Sequence, residues 1–253
     1  MSGRIVFAML IVAAVARPGL AQEAAAPRTL EAELSYLGAQ IAELKESLPN
    51  IACIETVVSQ ELHGEKVHER VDFTATLEVK RGDDGKLGES FTIVTWKGKP
   101  FTGGRVRYPA YVEGGFDKAI NYFSSKAQAC YRYTLSPGRI DFESDPAKAK
   151  QDACNEGVRG FALLDGAGNV DHVERTVSGD FPKNAHLVPF AAIDFHPVEL
   201  NGRTFRLASH TLAEFQRGST VARFEATYER CRLFGVTVKI GPATEVAAPP
   251  PNL

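Results

Sequence analysis

The stretch Lys66-Val67-His68-Glu69-Arg70-Val71-Asp72-Phe73-Thr74-Ala75-Thr76-Leu77-Glu78-Val79-Lys80 decides the fold class. Val67, Val71, Phe73, Ala75, Leu77 and Val79 alternate with His68, Arg70, Asp72, Thr74, Thr76 and Glu78. Successive side chains of a strand point to opposite faces, so the pattern predicts a long strand with one buried and one wet face.

Strand-like runs continue on both sides. Ile51 to Leu62 precedes the stretch, and Glu89 to Trp96 follows it across the turn residues Asp83-Asp84-Gly85. Cys130 to Leu135 is broken by Ser136-Pro137-Gly138, after which a more polar excursion from Ile140 to Ala153 reaches Cys154. Gly160 to Leu164 and Val170 to Val177 flank Asp165-Gly166-Ala167-Gly168-Asn169, a hairpin connection. Asp194 to Leu200 and Arg203 to Phe215 flank Asn201-Gly202, whose tolerance of positive φ suits a two-residue primed turn, and Thr220 to Arg232 ends the series. Phe205, Leu207, Ala213 and Phe215 are read as one alternation interrupted by Ser209 and Thr211.

Two segments have helical spacing. Leu30, Leu34, Leu37, Ile41, Leu44 and Leu48 form one stripe, with Thr29 as cap, Glu31 and Glu33 at the positive end, Lys45 near the negative end and Pro49 as stop. The stripe suits docking on the chain's own sheet, or a weak dimer through the Leu30 to Leu48 helix. Phe116, Ile120, Phe123 and Ala127 share a face of a second candidate, Phe116 to Gln128. The expected fold is α+β: a curved, largely antiparallel, half-barrel-like sheet with two amphipathic helices packed on its concave face.

Met1 to Ala21 reads as a secretory signal peptide: Arg4, an apolar run from Ile5 to Ala16, then Gly19-Leu20-Ala21 before Gln22. That run is short of the roughly 20 residues a membrane span needs, so no transmembrane segment is expected in the mature chain and a periplasmic or secreted destination is. Residues 22–28 are expected to be flexible, 29–241 to form a single β-rich domain, and 242–253, which hold Pro249-Pro250-Pro251, to be a disordered tail. Formal net charge is −2 and becomes more negative once Arg4 and Arg17 leave with the leader. The interleaved charges form no basic stripe, which argues against a nucleic-acid partner. Export makes two disulfides plausible; Cys130 to Cys154 and Cys53 to Cys231 are the favoured pairs, the latter tying the first strand to the last long one.

Chemistry is sparsely signalled. Among His63, His68, His172, His186, His196 and His210 no HExxH occurs, and no metal or cofactor is expected. Glu65, Glu69 and Asp72 near His68 could bind a metal if brought together, but strand alternation turns Glu69 away from His68 and Asp72. His172, His196 and His210 can meet across strands with Asp171 or Asp194, and Ser178 or Ser209 as nucleophile would make a secreted hydrolase; no GxSxG is present. Glu225 and Glu229 share a strand face at roughly 13 Å, too far apart for most glycosidases. Trp96 reads as a core or rim aromatic. The remaining set is apolar: Phe116, Ile120 and Phe123 on the covering helix opposite Phe205, Leu207 and Phe215 on the sheet. Incomplete packing there makes an acyl-chain pocket, complete packing a core.

The pieces Leu48-Pro49-Asn50-Ile51-Ala52-Cys53, Gly168 to Arg175, Val198 to Ser209 and Phe224 to Val236 resemble a group of acidobacterial exported proteins of uncharacterised role. The order leader, helix, paired strands, helix and long meander more distantly resembles the half-barrel of periplasmic lipoprotein carriers and localisation factors, in which an incomplete barrel holds acyl chains against helices. These resemblances imply a non-catalytic envelope binding or carrier domain for a lipid or acyl chain, with a lipid or envelope protein as partner. A structural or protein-interaction domain without a small-molecule ligand is the alternative.

Overall fold

Two meanders share one sheet in the computed structural model, which describes residues 28–112, 120–151, 154–179 and 188–235. The first comprises β1 (Ile51–His63), β2 (Lys66–Arg81), β3 (Leu87–Trp96) and the two-residue β4 (Lys99–Pro100). The second comprises β5 (Tyr131–Ser136), β6 (Arg139–Ser144), β7 (Val158–Leu164), β8 (Val170–Val177), β9 (Phe190–Leu200), β10 (Arg203–Arg217) and β11 (Thr220–Leu233). The spatial order is β4-β3-β2-β1-β11-β10-β9-β8-β7-β6-β5, antiparallel throughout, and the sheet is open and curved.

This order makes β4 and β5 opposite edges, although only residues 101–130 separate them in the chain. The connection therefore has to cross the sheet, and its described parts lie on the inner face. Residues 101–112 meet β1, β2, β3 and β11 through Ser59, Phe73, Phe91 and Phe224. A 3₁₀ turn, Ile120–Phe123, then stacks Tyr122 on Phe142 and sets Phe123 edge-on to the same ring. A short helix, α2 (Ser125–Gln128), follows.

One register row shows what the inner face is made of. Leu135, Ile140, Ala162, Val173, Ile193, Thr211, Ala226, Val57, Phe73 and Trp96 are successive cross-strand partners from β5 to β3. Only Thr211 is polar. The neighbouring outer row runs Leu163, His172, Asp194, His210, Thr227, Thr56, Thr74 and Thr95. This contrast is the sequence alternation made spatial, with fully buried large residues such as Phe224, Val57 and Val173 each contributing roughly 1.5–3 kcal/mol.

The helix expected from the leucine stripe is α1 (Leu30–Ser47), capped by Thr29, whose hydroxyl accepts from the Ala32 N–H at 3.3 Å. Arg81 closes its other end, donating to the carbonyls of Lys45, Glu46 and Leu48 at 2.6, 3.1 and 3.2 Å. Leu37, Ile41 and Leu48 are buried within the chain, so the stripe is not a free dimer seam. Arg28 pairs with the buried Glu33 and lies over the Tyr36 ring. No described helix is long and apolar enough to cross a membrane.

Three sequence expectations change. The continuous helix over Phe116 to Gln128 is, where described, the 3₁₀ turn followed by α2, because Ser124 starts a new helix by accepting from Ala127 N–H. The tighter 3₁₀ turn lets the adjacent Tyr122 and Phe123 both reach Phe142. The polar excursion after Ile140 contains β6, in which Ile140, Phe142 and Ser144 are buried between charged residues. The shared alternation of Phe205, Leu207, Ala213 and Phe215 is split by a bulge between Ala208 and His210. Thr211 and Ala213 pair with Ile193 and Ala191 on one side of the bulge, and Phe205 and Leu207 with Val198 and His196 on the other, while Phe205, Leu207 and Ala213 are all buried and Phe215 packs against the same core.

Disulfides join Cys53 to Cys231, on adjacent β1 and β11, and Cys130, just before β5, to Cys154 in the β6–β7 connection. The expected leader, residues 22–27 of the expected flexible segment and the expected tail lie outside the described residues.

Candidate functional site

A cavity of about 510 Å³ lies between α1 and the β8–β10 part of the sheet. Leu37, Ile41 and Leu44 form its helical wall, Ile120 closes one side, and Phe195 and Phe205 stand on the sheet wall. Helical spacing explains the first wall, since positions 37, 41 and 44 fall on one face. The volume is within the range that takes a drug-sized ligand.

Polar groups gather around the walls. Asn169, in the β7–β8 turn, accepts from Gln40 Nε2 at 2.6 Å and Tyr36 Oη at 3.2 Å, which fastens that turn to α1. Gly168 makes the fit possible: its φ is +87°, and a Cβ there would lie 2.5 Å from Glu33 Oε1. Arg206 donates to Asp165 and Asp171, and Arg203 reaches Glu43 at 2.8 Å. Each arginine is thus matched by carboxylate, so the rim offers no uncompensated cation. The Arg203–Glu43 pair is half exposed or more on both sides, so it closes the mouth weakly.

Of the six apolar residues singled out from sequence, Ile120 and Phe205 line this cavity. Phe123 and Leu207 are buried core; Phe215 is half-buried against the core on the far side of the bulge. Phe116 lies outside the described residues. Sequence reasoning missed Phe195 and Pro197, and took the α1 stripe for sheet docking or a dimer contact although Leu37, Ile41 and Leu44 wall the cavity.

A second polar locus sits inside the sheet. Glu55 is 1% exposed on β1, directly opposite Tyr228 of β11. Tyr111 donates to its Oε2 at 3.3 Å, and Tyr228 is a second side-chain partner. Burial pushes the carboxyl up to about 7, partly opposed by the two tyrosines and aided by Glu89. Burial likewise raises both tyrosine hydroxyls, so they stay neutral donors.

The outer face assembles the histidine set only in part. His172 Nδ1 lies 2.6 Å from Asp194, whose other oxygen is 3.3 Å from His210; His210 also meets Glu225 at 3.1 Å. His196 is not among them, being paired with Leu207. Ser209 donates to the Asp194 carbonyl, not to an imidazole. The row is a series of cross-strand imidazole–carboxylate contacts. His63 and His68 stack at 4.6 Å across the β1–β2 hairpin, and Asp72 is engaged by Arg70. Among the described residues no group of three or more His, Cys, Asp or Glu side chains is placed to hold a metal.

The fold and the cavity together define an open antiparallel half-barrel with helices over its inner face and an apolar cleft beneath the longer one. No family model and no curated protein matches the chain. Among solved structures it is similar to a DUF1329 family protein from Desulfovibrio piger, at 14% identity and a TM-score of 0.40, over 83% of this chain and 94% of that one. It is also similar to a LolA superfamily protein from Nitrosomonas europaea, at 6% identity and a TM-score of 0.34, over 80% and 94% of the two chains.

Proposed function

We propose that the protein is a non-catalytic binding or carrier domain of the cell envelope that holds an acyl chain in the cavity beneath α1. The observation that carries this reading is the apolar cleft itself, walled by Leu37, Ile41, Leu44, Ile120, Phe195 and Phe205. A helix–sheet interface that packed completely would leave no such volume. The internally neutralised rim favours a ligand whose polar end stays in solvent at the mouth, with the chain doing most of the binding. Export to an oxidising compartment, by way of the Met1 to Ala21 leader, fits the two disulfides.

Native mass spectrometry of protein purified without detergent, followed by lipid extraction, tests the reading. A co-purifying acyl species, reduced in Ile41→Trp because the larger ring fills the cleft, is the expected result. A folded protein that carries no acyl species and takes up none when offered palmitate would overturn it.

A further inference from the structure

Residues 101–112 cross β3, β2, β1 and β11 without forming helix or strand. Ser59 holds them at one point, its hydroxyl donating to the Ala110 carbonyl at 2.8 Å and accepting from the Ala110 N–H at 2.9 Å. Ring contacts supply much of the rest: Tyr111 lies 4.5 Å from Phe91 and 5.3 Å from Phe224, and Tyr108 lies 5.9 Å from Phe73. Phe101 N–H donates to the Val94 carbonyl at 2.9 Å where the stretch leaves β4, and the Ser59 clamp, the Tyr111–Glu55 bond and the ring contacts then stand in place of a continuous ladder.

The floor under this strap is not an ordinary apolar core. Glu55 and Tyr228 face each other there, and the hydroxyl of Thr211, 1% exposed on the next strand, lies against Tyr228 without a hydrogen bond of good geometry. A buried hydroxyl without a partner costs about 1–3 kcal/mol, and a buried carboxyl has to find donors. Tyr111 supplies one. Its ring fills an aromatic slot and its hydroxyl meets Glu55, which is how a phenol would bind if the slot were free.

We propose that Glu55, Tyr228 and Thr211 form the polar end of a second ligand site, occupied here by Tyr111, and that it takes an apolar molecule ending in a hydroxyl when the strap lifts. None of these residues, nor Phe73, Phe91 or Phe224, lines the cavity beneath α1, so the two sites are distinct in composition. At pH below about 7 the protonated Glu55 carboxyl can both accept from and donate to such a hydroxyl, which an ionised one cannot. Thr211 gives the ligand oxygen a further partner.

Trp96 is the chain's single tryptophan and stacks on Phe73 at 5.6 Å, so its emission reports on this wall. Titration with 4-octylphenol should change Trp96 emission saturably, at least tenfold more tightly than octylbenzene, which lacks the donor. Tyr111→Ala, which vacates the slot, should tighten the phenol at least tenfold; Glu55→Leu should erase the preference for phenol over octylbenzene. Should Tyr111→Ala fail to fold, Ser59→Ala, which releases the clamp, should tighten the phenol several-fold instead. Leu44→Phe narrows the α1 cavity and should leave the Trp96 response unchanged, which separates this site from the proposed acyl cleft. No saturable Trp96 response in the wild type and in a folded strap variant, or equal affinity for the two probes, would overturn the proposal.

Discussion

Replacing Glu55 by Gln should change how stability depends on pH more than it changes stability at any single pH. The carboxyl sits at about 7 in the folded protein against an ordinary 4.5, chiefly because burial penalises its charge. Below pH 4.5 the group is protonated whether the chain is folded or not, and it carries no penalty. Between about 4.5 and 7 the unfolded chain loses the proton first, so folding stability falls as pH rises; above 7 the loss is complete and constant. At 1.36 kcal/mol per pH unit the full loss is about 3 kcal/mol. Tyr111, Tyr228 and Glu89 are the titratable neighbours, and the tyrosines stay neutral throughout this range. Glutamine keeps the shape and a donor but has no proton to lose. Urea unfolding of both proteins from pH 4 to pH 8.5, followed by Trp96 fluorescence, gives the difference directly. Wild-type stability should decline relative to Glu55→Gln by about 3 kcal/mol over that interval, with every other titration cancelling. A pH-independent difference, or one of opposite sign, would refute the reasoning.

Gly160→Ala should destabilise by roughly 1–3 kcal/mol in urea melts, because its Cβ would sit 2.1 Å from the Glu174 carbonyl oxygen and force β7 and β8 apart. Arg81→Met keeps the aliphatic stem but removes the donors that close α1, and should cost about 1–3 kcal/mol with early loss of hydrogen-exchange protection in residues 44–48. Replacing Cys130 and Cys154 together by Ser opens a loop of sequence separation 24 and should lower stability by about 2–4 kcal/mol, measured against the same protein with both bonds intact.

The residues explain which parts of this account were legible beforehand. β2 alternates so cleanly that its inner face, Val71 to Val79, could be read position by position. β1 could not, because Cys53, Glu55, Val57 and Ser59 face inward while Ile54, Thr56 and Val58 face outward, and neither set is purely apolar. The buried acid was hidden in that ambiguity. β6 was passed over because three charged residues alternate with only two apolar ones and a serine. The bulge at Ser209 left only a polar interruption in the sequence, so the break in the β9–β10 register could not be read from it. Residues 101–112 have no period at all; their role follows from topology, since a chain leaving one sheet edge and entering at the other has to cross a face. Cavity volume depends on how far α1 stands off the curved sheet, which no linear pattern encodes.

The most direct test of the carrier reading is displacement of a dansyl-labelled undecanoic acid by palmitate, in the wild type and in Ile41→Trp. The account predicts saturable, blue-shifted probe binding with one site per chain, competed by palmitate and weakened at least tenfold when the cleft is filled. Equal binding by both proteins, or no saturable binding by a wild type that is folded by circular dichroism, would contradict it.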